Sequence, residues 1–203
     1  MPKRFKKLLR SFYERPTLEV APEMLGKYLV YNSPAGRMSA RIVEIEAYIG
    51  QDDPACHAAR GKTDRNAPMF GPGGFSYVYF IYGMYNCLNF VTEKRKHPAA
   101  LLLRAAEPKE GIDLMRLNSP RIRATNELLN GPGKLCRSFG LTTVHTALDL
   151  TGNQLYLEDR NEPSVSFGYS PRIGIRVGAD LPWRFFDSDS KALSRPVEAG
   201  KTK

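Results

Sequence analysis

The chain has 203 residues, with 30 Lys+Arg against 21 Asp+Glu, a formal net charge of +9, and three cysteines. That length suits one domain with a sizeable core, and the positive excess favours polyanionic partners. Cys56, Cys87 and Cys136 are odd in number and widely separated, which argues against structural zinc, an iron–sulfur cluster or a disulfide scaffold and for a reduced intracellular protein; no apolar run reaches bilayer length and no signal-peptide core is visible.

In chain order, residues 1–14 place Phe5, Leu8, Leu9 and Phe12 at helical spacing among lysines and arginines. This predicts a basic N-terminal helix or arm that docks near phosphate, in preference to a membrane-surface helix or an organelle presequence. Residues 18–32 read as a short helix stopped near Gly26, then a strand from Lys27. RIVEIEAYI (41–49) alternates as a strand, with Val43, Ile45 and Ala47 on one face and Glu44, Glu46 and Tyr48 on the other. Residues 51–74, rich in Gly, Pro, Asp and Asn, form a loop long enough to suggest function. FSYVYFI (75–81) and YNCLNFV (85–91) form a hairpin around Tyr82-Gly83-Met84, with Gly83 taking the unusual backbone angle. After a connection at 93–98, ALLLRAA (100–106) returns and completes an antiparallel meander.

Beyond Pro108 the pattern turns helical at 109–118 and 124–130. A further helix begins at GPGKLCRSFG (131–140), with Pro132 in its first turn and Gly140 near its end. QLYLED (154–159), RIGIRV (172–177) and WRFF (183–186) read as short closing strands, and 187–203 as a disordered tail without apolar periodicity. Strands cluster without regularly alternating helices, so the fold class is α+β. The expected architecture is a single domain over 1–186: a curved antiparallel β-sheet with surrounding helices and a protruding β-hairpin.

Glu46 shares its strand face with Glu44 and Tyr48. Taken alone, such a face is more often solvated than catalytic; in a cleft, one carboxylate would activate water with Tyr48 as a wall beside it. His57 has no second His or Cys at a ligand-like interval, which disfavours a metal and leaves surface decoration or hydrogen bonding to a substrate. Tyr77, Tyr79, Tyr82 and Tyr85 form the densest aromatic cluster. Packing is the ordinary use of such residues, but a ring in the turn, Tyr82, is placed to insert into a partner. Arg60, Lys62, Arg65, Lys94, Arg95 and Lys96 interleave nearby as candidate phosphate contacts. Arg104 is either an edge-strand side chain reaching solvent or the partner of a catalytic carboxylate. The LNGPGKL segment reads equally as the Gly-rich hairpin of a helix-hairpin-helix motif or as a helix N-terminus facing phosphate.

In order along the chain, VEIEAYIG, DPACHAARGKTDRNAPMFGPGG, YVYFIYGMYNCLN, LLLRAAEP, GPGKLC, RIGI and PWRF resemble the alkyladenine (3-methyladenine, or methylpurine) DNA glycosylase family over most of residues 11–187. The resemblance implies a base-excision repair enzyme that flips alkylated or deaminated purines out of duplex DNA. It would hydrolyse the N-glycosidic bond and leave an abasic site. By position, the resemblance implies Glu46 as the water-activating base, Arg104 as the Arg that helps hold the water, and Ile173 as the residue whose carbonyl completes the site. Tyr48, His57, Tyr79 and Asn89 are implied as the base pocket, with Asn89 able to clash with the amino group of normal guanine. Tyr82 is implied as the ring that fills the gap in the duplex.

No lysine nucleophile stands in the matched motifs, so the resemblance implies a monofunctional enzyme without lyase activity, with no cofactor and no metal. The implied partner is double-stranded DNA containing damaged purines, met by a monomer without membrane association. Its expected location is the cytoplasm, at the nucleoid of a prokaryote, or the nucleus. The alternatives are a non-catalytic nucleic-acid binding module on the same scaffold, and an enzyme acting on another polyanion such as tRNA or a small nucleotide.

Overall fold

The Ile-, Val-, Leu- and Ala-rich runs at 36–49 and 99–110 form the two longest strands and pair with each other. In the computed structural model, which describes residues 5–197, nine strands make one sheet. They are β1 (Lys6–Lys7), β2 (Tyr28–Ser33), β3 (Gly36–Ile49), β4 (Ser76–Ile81), β5 (Tyr85–Val91), β6 (Ala99–Glu110), β7 (Leu155–Asp159), β8 (Phe167–Ser170) and β9 (Arg184–Asp187). Every pairing between them is antiparallel. The order is β1-β7-β2-β3-β6-β5-β4, with β9 joined to the later half of β3 and β8 joined to β9. The expected α+β class and the meander of β4, β5 and β6 are therefore present. No helix among the described residues is long and apolar enough to cross a membrane.

Four helices, α1 (Arg10–Tyr13), α2 (Thr17–Met24), α3 (Ile112–Asn118) and α4 (Pro132–Phe139), accompany the sheet. Ile42, Ile45, Leu88, Phe90, Leu101 and Leu103 point from one sheet face into a core shared with Val20, Met24, Met115, Leu135 and Phe139. Burial of that many large side chains supplies most of the driving force for folding, at about 1.5–3 kcal/mol each. The boundaries of α4 follow its sequence closely. Pro132 needs no hydrogen-bond partner at the first position, and Gly140 adopts the left-handed conformation (φ +70°) that ends the helix. The Gly140 and Leu141 amides then satisfy the carbonyls of Arg137 (3.0 Å) and Cys136 (2.8 Å).

The opposite sheet face carries Glu44, Glu46, Tyr48, Cys87, Asn89, Leu102 and Arg104. Here β3 departs from simple alternation. Ile42 pairs with Ala106 and Glu44 with Ala105, so Val43 is an extra residue; Ile45 then pairs with Leu103, so Arg104 is extra on β6. The two bulges compensate each other, and each puts two consecutive residues on the same side. Val43 consequently leaves the face of Ile45 and Ala47, against expectation, and packs with Ala105 and Ala192. Arg104 is not at an edge, because β6 lies between β3 and β5.

Other expectations are corrected as well. The predicted N-terminal basic helix is reduced to α1. Lys6 and Lys7 instead form β1, opposite Asp159 and Glu158 of β7, where an open strand edge and opposite charges favour extension; residues 1–4 lie outside the described residues. RIGIRV is irregular backbone, not strand, and 124–130 holds only a single 3-10 turn, Thr125–Glu127. Strand β8 was not foreseen, because its four residues FGYS include a glycine and pair only with β9. The segment after 186 is also no disordered tail up to Val197. Asp187 ends β9, Ala192 is buried, and Ser194 reaches the middle of the sheet. Its anchors are mostly polar, which is why apolar periodicity missed it; residues 198–203 lie outside the described residues.

Candidate active site

Two carboxylates and two guanidiniums lie buried together on the second sheet face. Glu44 and Glu46 are both 0% exposed. Glu44 accepts from Arg104 Nε (3.0 Å), Arg184 Nε (2.7 Å), the Ser194 amide (2.6 Å) and Ser194 Oγ (2.7 Å). Four donors equal in number the lone pairs of a carboxylate, three on Oε1 and one on Oε2, so Glu44 is held as a structural group.

Glu46 differs. It accepts from Tyr48 Oη (2.9 Å), Arg104 Nη1 (3.2 Å) and the Ile173 amide (2.7 Å), which leaves capacity for one further donor. Burial pushes its pKa above the usual carboxylate range, against the lowering influence of Arg104, the Ile173 amide and Tyr48. Sequence matching had pointed to the carbonyl of Ile173; the contact present is its N–H, donated to Glu46.

Tyr48, Arg104 and Ile173 also line a cavity of about 370 Å³, together with His57, Tyr77, Tyr79, Tyr82 and Asn89. Glu46 therefore stands directly behind three cavity-lining groups. The His57 ring meets Tyr79 edge-on at 4.6 Å between centroids, and its Nδ1 lies 2.9 Å from Tyr77 Oη. Partial burial of the imidazole, reinforced by the Arg65 cation, holds the His57 pKa below its ordinary value, so the ring is neutral near pH 7. Burial likewise pushes the Tyr77 phenol up to about 12 and raises Tyr48 and Tyr79, so all three remain protonated donors. Asn89 is fixed by donating to the Tyr77 carbonyl (2.9 Å). The loop holding His57 is tied by Asn66, which donates to the carbonyls of His57 (2.8 Å) and Gly61 (2.9 Å).

Tyr82 sits at the rim, 75% exposed. Its φ of +55° and that of Gly83, +67°, are both left-handed, as a tight primed hairpin turn requires, and the Met84 amide closes the turn on Ile81 (3.2 Å). The structure thus brings together Glu46, Arg104, Ile173, Tyr48, His57, Tyr79, Asn89 and Tyr82. It does not bring in Lys94, Arg95 and Lys96, which lie at the far end of β5 from the hairpin tip, a full strand length away. Arg65 is at the site, donating to the Phe80 carbonyl (3.0 Å) and stacking over Tyr79. Lys134 and Arg137 lie on the other side, on helix α4, whose Pro132 lines the cavity and whose Gly133 packs against the Tyr85 ring.

Three groups were missed from sequence. Asp53 and Arg172 form a fully buried two-pronged ion pair (2.6 and 2.8 Å), with Arg172 stacked on Tyr48 and Trp183 and bonded to the Ala47 carbonyl. This clamp fixes the irregular backbone that presents the Ile173 amide. The third is Ser194. Arg172 flanked by Pro171 and Ile173 was the available signal, since a cation among residues with no polar partner needs an acid elsewhere. Among the described residues no group of three or more His, Cys, Asp and Glu is arranged to hold a metal ion, and all three cysteines are buried and free.

Residues 11–191 match the model of a family described as methylpurine-DNA glycosylase. A protein of Methanocella arvoryzae is 51% identical over 193 residues, covering 93% of this chain and 96% of the relative. A protein of Sodalis glossinidius is 49% identical over 178 residues, covering 88% and 95%, and one of Alkaliphilus oremlandii is 44% identical over 200 residues, covering 93% and 99%. All three are provisionally named as 3-methyladenine DNA glycosylases.

Proposed function

Because this chain belongs to the methylpurine-DNA glycosylase family, we propose that it excises damaged purines from double-stranded DNA by hydrolysis of the N-glycosidic bond, with Glu46 as the base. One observation carries this reading: Glu46 is a buried carboxylate whose three donors all line a tyrosine-walled cavity. The bond to be cut lies inside a duplex, so the nucleotide must first be extruded, and the lost stacking must be replaced. Tyr82 takes the vacated space in the DNA, while Tyr48, Tyr79 and His57 enclose the base. A purine made cationic by alkylation stacks well on such electron-rich rings. With Tyr77 donating to Nδ1, His57 carries its proton on Nε2 and offers it to the base edge.

Glu46 then accepts a proton from water as the water oxygen bonds to C1′. The C1′–N bond breaks, and the purine leaves with the electron pair. The carboxylate charge also stabilises the oxocarbenium-like sugar. Arg104 and the Ile173 amide fix the orientation of Glu46, and Asn89, rigid in the pocket wall, opposes the amino group of normal guanine. Among the described residues the cavity lining includes no lysine, which favours hydrolysis over an amine-linked, strand-cleaving route, and the protein acts as a monomer.

Base release from alkylated and hypoxanthine-containing duplexes tests the reading. Wild-type protein should release base faster as pH rises through the Glu46 pKa, because only the ionised carboxylate accepts the proton. Glu46→Gln should lose about 10²–10⁴-fold in rate while still binding lesion DNA. Wild-type turnover by Glu46→Gln would remove Glu46 from this role.

A further inference from the structure

The segment after β9 crosses the buried ion cluster as a strap. It is anchored independently at several points: Ser190 Oγ donates to Glu107 (2.9 Å), Ala192 packs on Val43 and Ala105, and the Arg195 carbonyl accepts from Arg184 Nη2 (2.9 Å). Arg195 also lines the cavity. Between these anchors sits Ser194, whose hydroxyl donates to Glu44 (2.7 Å) and accepts from Arg104 through Nε (3.2 Å) and Nη2 (3.0 Å). Ser194 Oγ is the acceptor for Arg104 Nη2 among the described residues, while Nη1 of the same guanidinium reaches Glu46 (3.2 Å).

We infer that Ser194 is a positioning residue of the reaction: its hydroxyl clamps the Arg104 fork so that the opposite arm is held against Glu46. The inference rests on the reading of Glu46 as the base. A planar guanidinium cannot turn one arm without turning the others, so a fixed Nη2 fixes Nη1. Without the hydroxyl, Nη2 loses its acceptor and Nε keeps only Glu44, so a single bond holds the fork and its Nη1 arm is less tightly aimed. The contact with Glu46 loosens, and Glu46 keeps less of the cationic influence that favours its ionised form. The other groups facing Glu46 are Glu44 and Tyr48 on β3, Arg184 on β9 through Glu44, Cys87 on β5 and Arg172 in the segment after β8. None of these contacts Ser194 Oγ except Glu44, which keeps the Ser194 amide and both arginines in an alanine variant.

The test compares Ser194→Ala, Ser194→Thr and Glu46→Gln in single-turnover excision at saturating enzyme, across pH, with lesion-DNA affinity and melting temperature measured in parallel. Ser194→Ala should slow excision about tenfold and move the acidic limb of the pH profile upward by roughly half to one pH unit. Affinity should stay within about twofold, and melting within about 3 °C. Ser194→Thr, which restores the hydroxyl, should recover rate and limb. Should Ser194→Ala fail to fold, Ser194→Cys keeps the volume without a strong hydrogen bond and should show the same slowing and shift. A wild-type rate and pH limb in the Ala or Cys variant overturns the inference, as does a loss that only tracks melting temperature or affinity. An active Glu46→Gln instead overturns the reading of the base on which it depends, and the two failures are distinct.

Discussion

Replacing Tyr82 with glycine separates what the hairpin tip does for the fold from what it does for DNA. The ring is 75% exposed, so its loss opens no core cavity. Its φ of +55° is left-handed, a conformation that costs a residue with a Cβ roughly 1 kcal/mol and glycine almost nothing. The unfolded glycine chain is more mobile by roughly 0.4–1 kcal/mol, which offsets most of that gain. For a chain of this size 1 kcal/mol corresponds to about 2–4 °C, so the melting temperature of Tyr82→Gly should stay within about 3 °C of wild type. In the proposed complex, the ring would restore stacking worth about 1–3 kcal/mol. Its loss should therefore lower single-turnover excision at limiting enzyme by about five- to 150-fold. Tyr82→Ala should lose as much excision but keep the backbone strain. A Tyr82→Gly protein that melts more than about 5 °C lower would make the ring part of the fold, and one that excises normally would show that nothing inserts.

Two further outcomes follow from the charges. Glu44→Gln should destabilise by about 3–5 kcal/mol, because Arg104 and Arg184 are left facing each other in a buried site; a melting temperature lowered by less than about 3 °C would contradict that. Duplex affinity should fall at least about tenfold between 50 and 200 mM salt, the effect of roughly two phosphate contacts. A flat titration would take Arg65, Lys134 and Arg137 out of the interface.

Local patterns that obey their period were readable from the residues: the alternation through Ile45-Glu46-Ala47-Tyr48, the hairpin around Gly83, and the Pro132-to-Gly140 helix. The family motifs pointed to Glu46 and to seven residues that line one cavity, although strand periodicity alone could not distinguish a solvated Glu46 from a buried one. Features that break a period stayed hidden. Val43 and Arg104 are paired bulges, and a bulge on one strand is visible only once its partner is known. The strap failed for another reason: it is held by hydroxyls and amides that look the same in sequence whether they meet solvent or a carboxylate. Lys94, Arg95 and Lys96 were misplaced because nearness along a hairpin is not nearness in space.

The strap also imposes an order on how the molecule is made. Glu44 and Ser194 are 150 positions apart in the chain, and at about 5–20 residues per second the ribosome adds the second roughly eight to thirty seconds after the first. For most of that interval the nascent sheet holds a carboxylate lacking three of its four donors, since Arg184 is itself 140 positions from Glu44, and contacts that span so much sequence are also slow to form. Emergence of the strap then supplies the last two donors to Glu44. Messages cut short before that codon would yield chains that hold the sheet yet leave Glu44 without two of its donors, and cellular proteases remove such partly folded species first.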